Sequence, residues 1–327
     1  MVKLIVQIPC FNEAETLPAV LADLPAAVPG VDCIETLIID DGSTDDTSAV
    51  AQKLGVTHIL RHTGNKGLAY SFQDGLNACL RLGADVIVNT DGDNQYPGRY
   101  IPDLVAPILN QTADLVIGDR RTRTVEHFSP LKKLLQTWGS WVVRVVSGAP
   151  VLDAPSGFRA YSREAALRLN LLTDYTYTLE TIIQAGKKGL RIASVPIKVN
   201  PQTRESRLIR SDWSYVKRQA ATILRLYAFY EPLRTFLYFS APFFAVGLFL
   251  LGRFAYYYLI GEQGIGRHLQ SLSVGGTAVV LGVLIAILGI LADLSATNRR
   301  LTEEMFYHLK RREMMNGRAR EDPDRST

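Results

Sequence analysis

The sequence predicts an α/β fold with a Rossmann-like, mostly parallel sheet, followed by a helical membrane segment. Three observations carry that expectation. Short apolar runs alternate with stretches of helical spacing, and each run ends in a cluster of acidic or polar residues. Two long stretches towards the C-terminus, 235–252 and 269–292, carry no charged side chain.

The elements follow in order. LIVQIP (4–9) reads as a buried strand, and NEAETLPAVLADL (12–24) has apolar residues at helical spacing. TLIIDDGS (36–43) is a second strand ending in acid. STDDTSAVAQKLG (43–55) opens on an N-cap and stops at a glycine. THILRH (57–62) is a further strand, TGNKG a loop, and a helix over 67–82 closes at Gly83. ADVIVNTD (84–91) is the next strand. Alternating strands and helices imply a parallel sheet with helices on both faces, where ligands bind beyond the carboxyl ends of the strands. Pro9-Cys10-Phe11-Asn12-Glu13, Asp40-Asp41-Gly42-Ser43 and Asp91-Gly92-Asp93 then share one rim.

Composition narrows the class. The 327 residues carry 36 Lys+Arg against 32 Asp+Glu, a mild excess that gives no reason to expect a nucleic-acid partner. The excess is local: residues 198–234 hold eight basic side chains and three acidic ones. Cys10, Cys33 and Cys79 are far apart, with no CxxC pair, so neither a disulfide framework nor a zinc site is expected. The first residues lack a secretory hydrophobic region, so no signal peptide is expected.

At ~1.5 Å rise per residue, each charge-free stretch can cross a hydrocarbon core of about 30 Å. Tyr256, Tyr257 and Tyr258 suit an interfacial aromatic belt, with Arg253 reaching towards headgroups. The connecting loop is nearly neutral while both outer flanks are rich in Arg and Lys, which places the flanks in the cytoplasm. The expected organisation is a cytoplasmic catalytic domain (1–211), amphipathic juxtamembrane helices (212–234), two transmembrane helices within 235–297 (about 235–260 and 269–293) and a basic cytoplasmic tail (298–327). In the tail, Leu301, Met305 and Leu309 lie at helical spacing, as a second interfacial helix or a homo-oligomer contact would require. The predicted location is the cell (inner) membrane, multi-pass.

The rim has neither GxGxxG after the first strand nor GxxxxGK[ST], so it is neither a dinucleotide fingerprint nor a P-loop. Acidic strand ends repel bare phosphates unless a divalent cation intervenes. Asp91 and Asp93, one residue apart in an extended segment, face the same way. With the Gln95 carbonyl they offer hard oxygen ligands for Mg2+ or Mn2+, and diphosphate oxygens can complete the shell.

Six stretches, IPCFNEAETL, LIIDDGSTDDT, NKGLAYSFQDGL, NTDGDNQYP, SGFRAYSREA and TRESRL, cover residues 4–210 in chain order. Together they resemble family 2 glycosyltransferases of the GT-A fold, within them the polyprenyl-phosphate sugar transferases related to dolichol-phosphate mannose synthase. The resemblance implies a nucleotide diphospho-sugar donor, a metal and a polyprenyl phosphate acceptor. It implies that Pro9, Phe11, Asn12 and Glu13 line the base and ribose pocket, Phe11 standing where Tyr is usual. Asp40 and Asp41 would accept hydrogen bonds from base and ribose, and Lys66 would lie near the donor. Asp91, Asp93 and Gln95 would hold the cation, with Asp93 at the reacting centre.

On the acceptor side, some polyprenyl-phosphate glucosyltransferases place an Asp before the Phe-Arg pair where this chain has Gly157. A phosphate monoester with second pKa near ~6 is already ionised at neutral pH and needs cations more than a base. Arg120, Arg159, Arg204 and Arg207 are the candidates, Arg being suited to phosphate oxygens by its planar fork. Asp153 is a further acceptor-side candidate. The expected activity is inverting, metal-dependent transfer of one sugar to an undecaprenyl or dolichyl phosphate. UDP-glucose or UDP-N-acetylglucosamine is the favoured donor and GDP-mannose the second. The alternatives are a processive polysaccharide synthase, whose QxxRW-type motif residues 200–234 lack, and a catalytically inactive membrane scaffold.

Overall fold

A computed structural model describes residues 1–120, 143–145, 147–149, 151–171, 177–200, 225, 227–260 and 269–321. Arg204, Arg207, most of the 212–234 amphipathic segment and the 261–268 connection lie outside the described residues. The chain divides into two compact units, Met1–Ala220 with Phe306–Thr327, and Ala221–Met305.

Among the described residues, the first unit has seven strands: β1 (Lys3–Cys10), β2 (Cys33–Asp40), β3 (His58–Arg61), β4 (Val86–Asn89), β5 (Leu115–Asp119), β6 (Arg159–Ser162) and β7 (Ile192–Pro196). Their order in the sheet is β3-β2-β1-β4-β6-β5-β7. The pairs β3–β2, β2–β1, β1–β4 and β5–β7 are parallel, whereas β6 runs antiparallel to β4 and β5. The expected mostly parallel sheet is therefore a mixed one with a single reversed strand. Helices α1 (Leu17–Ala22), α2 (Thr47–Lys53), α3 (Leu68–Arg81), α4 (Ile101–Leu109), α5 (Arg163–Arg168) and α6 (Tyr177–Lys187) connect or flank the strands.

Period-two alternation sends Leu4, Val6 and Ile8 to the face where Leu17, Leu104 and Val105 complete a buried cluster. Ile5 and Gln7 face the other way, towards α3, which lies so close that a Cβ on Gly75 would come 2.6 Å from Gln7 Oε1. β2 starts at Cys33, three residues before the apolar run at Thr36. Glu35 interrupts the pattern, but the flanking strands satisfy it: Lys3 Nζ lies 2.8 Å away and His58 Nε2 2.7 Å. A charge in a strand is tolerated where cross-strand partners meet it.

The second unit contains α7 (Pro232–Leu259) and the part of α8 (Leu269–Glu321) that ends at Met305. Both are long and apolar enough to cross a membrane. Leu248, Phe249, Val280 and Leu288 are all more than half exposed, an outer surface that suits hydrocarbon. The helices meet through small residues. A Cβ on Gly247 would lie 2.7 Å from Val279 Cγ2, and one on Gly289 2.7 Å from Phe236 Cβ. Arg299 stacks on Phe229 at 3.6 Å and donates to its carbonyl at 3.1 Å.

The tail is helical, as its spacing predicts, and part of it packs on the first unit. Leu301, Met305 and Leu309 are exposed, while Tyr307 and Met314 are buried. Within the first unit, Tyr307 Oη donates to Glu164 Oε1 at 2.8 Å, Arg168 lies over the Tyr307 ring at 4.9 Å, and Lys310 Nζ donates to the Ala166 carbonyl at 3.2 Å. Burial, with Arg81 and Lys188 nearby, pulls the Lys310 pKa down to about 8.

Candidate active site

The register of the parallel strands sets the site. Cys10 lies beside Asp40 and Gln7 beside Asn89, so β1, β2 and β4 end at one edge, with β1 between the other two. The segments that follow all leave that edge: 11–16, 41–47 and 90–98.

Asp91 and Asp93 follow β4 on a turn rather than on an extended strand. Asn94 takes a positive φ of 58°, and the Gln95 N–H bonds back to Asp93 Oδ1 at 3.0 Å. The turn is anchored on both sides. Thr16 Oγ1 donates to the Gly92 carbonyl at 2.7 Å, and the Asn200 N–H donates to the Gln95 carbonyl at 3.0 Å. That second bond engages the Gln95 main-chain oxygen, and the Gln95 residue is half-buried. Asp91 retains some accessible surface, yet the protein packed about it, with Asp93 next in effect and Glu13 adding to it, pushes its pKa up to about 7. Arg120 and Arg159 oppose that shift without cancelling it. Among the described residues no group of three or more His, Cys, Asp or Glu could hold a metal. The pair is a two-carboxylate site short of positive charge, and it fits a cation that brings further oxygen ligands with it.

On the β2 side the acids are organisers. Asp40 is fully buried and accepts from the Ser43 N–H at 2.8 Å and from the Ser48 hydroxyl. Asp41, 4% exposed, takes the Lys66 and Gly67 N–H groups at 2.9 Å each and His62 Nδ1 at 2.8 Å. His62 also reaches Asp74 through Nε2 at 3.1 Å. Asp41 thereby folds the TGNKG loop against β2, and Lys66 turns its ammonium over the Tyr70 ring at 4.5 Å. Asn12, also at positive φ, accepts from the Thr44 N–H and donates its own N–H to Ser43 Oγ, locking the β1 and β2 loops together. Phe11 is half-buried beside it; Pro9 and Glu13 are buried.

Across the rim, two sequence expectations need correction. Arg159 is fully buried at the start of β6. Its guanidinium donates to the carbonyls of Ser156, Thr178 and Ala154 and to Thr181 Oγ1 at 2.6–2.8 Å. It ties the 154–158 loop to α6 and is not presented to a ligand. Asp153, 2% exposed, holds Arg120 through two side-chain bonds of 2.7 and 2.9 Å and accepts its N–H at 3.1 Å. Neither an acceptor-side base nor a free phosphate fork is made by this pair.

The sequence reading missed the uncharged residues that gather around Gly157, next to Asp91. Asn89, the last residue of β4, donates to the Gly157 carbonyl at 2.9 Å and to Tyr177 Oη at 3.2 Å, and accepts from Gln7 Nε2 at 2.9 Å. Tyr96 Oη accepts the Gly157 N–H at 3.2 Å. A polar Asn closing an otherwise apolar strand was a signal for the first of these; nothing local marks Tyr177.

With this geometry in view, the comparisons are decisive for family. Residues 5–168 match the model for Glycosyl transferase family 2. The chain belongs to that family.

An undecaprenyl-phosphate mannosyltransferase from Micrococcus luteus is 31% identical over 200 residues, 58% of this chain and 80% of that protein. A UDP-N-acetylglucosamine–dolichyl-phosphate N-acetylglucosaminyltransferase from Methanococcus voltae is 29% identical over 215 residues, 58% and 83% of the two chains. Among solved structures, glucosyl-3-phosphoglycerate synthase from Mycobacterium tuberculosis, in complex with Mn2+, UDP and glucosyl-3-phosphoglycerate, superposes with a TM-score of 0.54 at 26% identity. That likeness covers 69% of this chain and 80% of that one. The chain is thus a glycosyltransferase with a GT-A-like domain, related to polyprenyl-phosphate sugar transferases.

Proposed function

We propose that this protein moves one sugar from a nucleotide diphospho-sugar to a polyprenyl phosphate at the cytoplasmic membrane face, with inversion. The observation that carries the reading is the conjunction, in one chain, of the Asp91–Asp93 pair at the rim with two exposed apolar helices. The tail of a lipid acceptor stays in the bilayer and only its phosphate reaches the donor, so a rim site on a chain with membrane-suited helices fits that acceptor. The named relatives that act on undecaprenyl and dolichyl phosphates support the acceptor class.

In the proposed reaction an oxygen of the lipid phosphate forms a bond to sugar C1 on the face opposite the donor diphosphate. The C1–O bond to that diphosphate breaks, and the nucleoside diphosphate leaves with the electron pair. Asp91 and Asp93, with Gln95 beside them, are the residues suited to Mg2+ or Mn2+, which supplies positive charge to the leaving diphosphate. Pro9, Phe11, Asn12 and Glu13 wall the nucleoside pocket, and Asp40 and Asp41 shape its loops. Arg204 and Arg207 grip the phosphates. UDP is the favoured carrier, in keeping with the UDP-bound structural relative, with glucose or N-acetylglucosamine on it. GDP-mannose is the second candidate, in keeping with the mannosyltransferase relative.

The test is a panel of labelled sugar nucleotides with undecaprenyl and dolichyl phosphate, reading lipid-linked product. One productive pair is expected, and sugar transferred only to a soluble or growing-chain acceptor overturns the reading. For the membrane orientation, a cysteine placed within 261–267 should label from outside intact cells and one at Ser326 only after permeabilisation. The reverse pattern inverts the topology.

A further inference from the structure

Gly157 has no room for a side chain. A Cβ on Gly157 would sit 2.7 Å from Tyr177 Oη and 3.1 and 3.2 Å from the two Asp91 carboxylate oxygens. The main chain cannot move aside, because the Gly157 N–H is bonded to Tyr96 Oη and its carbonyl to Asn89 Nδ2. Tyr177 and Asp91 therefore face each other across a bare α-carbon.

The direction of the hydrogen bonds decides what Tyr177 can do. Asn89 Oδ1 accepts from Gln7 Nε2, so the other end of that amide is the NH2 group, and it donates to Gly157 and to Tyr177 Oη. The phenol oxygen thus acts as acceptor towards Asn89, and its own O–H remains to be donated elsewhere. Among the described residues that O–H has no hydrogen-bond acceptor. The ring cannot swing away: it is buried and stacks on Phe72 with centroids 4.2 Å apart.

We propose that Tyr177 is a positioning residue for the metal-binding carboxylate: its hydroxyl donates across Gly157 to one oxygen of Asp91 when a cation takes the other. The neutral phenol replaces the side chain that position 157 lacks, and it does so without adding a third negative charge beside Asp91 and Asp93.

This inference rests on the metal-dependent reading above, and the experiment separates the two. Mn2+ uptake by the full-length chain in detergent, with UDP or GDP present, is followed by the electron paramagnetic resonance of free Mn2+. Tyr177→Phe removes only the hydroxyl and keeps the ring stack. It should weaken Mn2+ binding about tenfold, the scale of groups that orient metal ligands, while the melting temperature stays near wild type. Gly157→Ala should weaken Mn2+ binding more in the wild-type background than in Tyr177→Phe, where the opposing oxygen is gone. Wild-type chain that takes up no Mn2+ with either diphosphate overturns the metal reading and this inference with it. Normal wild-type uptake that Tyr177→Phe leaves unchanged overturns this inference alone. So does a loss of Mn2+ affinity matched by a large fall in melting temperature, since packing then explains it.

Discussion

Along the β1–β2–β4 side of the rim, acidic residues sit where the strands end, and their charge shapes loops or stays unmet. Across it, Asp153, Arg159 and Glu180 are buried. Arg159 is tied to carbonyls and Asp153 to Arg120, and the Asp91 carboxylate and Tyr177 Oη both border the bare α-carbon of Gly157. The contrast shows that a charge in a motif has two uses. Where its partners lie within the protein it builds the frame; where like charges crowd with no ion pair among the described residues, as at Asp91 and Asp93, it suits a ligand.

That contrast can be broken first at the carboxylates. Asp91→Asn or Asp93→Asn should lower transfer by at least ~100-fold and abolish cation-dependent donor binding. Full activity in excess chelator removes the metal assignment. Stability should move the other way for Asp91→Asn. The folded chain holds the Asp91 proton up to about pH 7, against 3.8 for the ordinary carboxyl. It therefore binds more protons than the unfolded chain between those values, and stability falls as pH rises through that window. In Asp91→Asn that fall should be absent, which thermal melts from pH 4 to 8 would show.

The two arginines sharpen the comparison. Arg207→Ala should cut turnover severely without unfolding, and Arg207→Lys should recover only part, because an ammonium cannot make the paired contact. Donor binding without lipid then assigns Arg207 to the diphosphate if lost, or to the acceptor phosphate if kept. Arg159→Met should instead destabilise the fold by about 3 kcal/mol or more, leaving carbonyls of Ser156, Thr178 and Ala154 without their donor. A well-folded Arg159→Met defective only in acceptor binding would return Arg159 to the site.

The smallest change concerns the tail. Lys310 folds with its pKa near 8, below its ordinary 10.5, so the folded chain binds fewer protons than the unfolded one between those values. Stability should rise with pH across that window and lack that contribution below it. Lys310→Met should raise the melting temperature at pH 7 by about 2–4 °C, the equivalent of ~1 kcal/mol. A fall would mean that the bond to the Ala166 carbonyl outweighs the buried charge.

Much of the fold was legible because local pattern and tertiary role coincide. Ile5, Ile8, Ile38, Ile39, Ile87 and Val88 are buried strand residues in sequence and structure alike. The rim followed from strand polarity alone. The donor-side motif was legible because its acids fall where apolar strands stop. β6 was harder, since RAYS is four residues long and opens on a charge whose four hydrogen-bond partners lie in the 154–156 loop and α6. In the tail, helical spacing predicted the helix, but nothing local marked Tyr307, whose partner Glu164 lies 143 residues away. A stripe on one helix does not say which neighbour it meets.

By itself, then, the sequence determined the strand–helix alternation, the common rim, the carboxylate pair and the two apolar helices, because each depends on residues near one another in the chain. Only the tertiary structure decided which charges are paired and which are not. Arg120 meets Asp153 across 33 residues, Asn89 meets Tyr177 across 88, and Gly157 meets both Asp91 and Tyr177. Such pairings arise from strand order and the reversed β6, and burial then makes an unpaired charge costly. No local spacing records which distant residue closes the circuit.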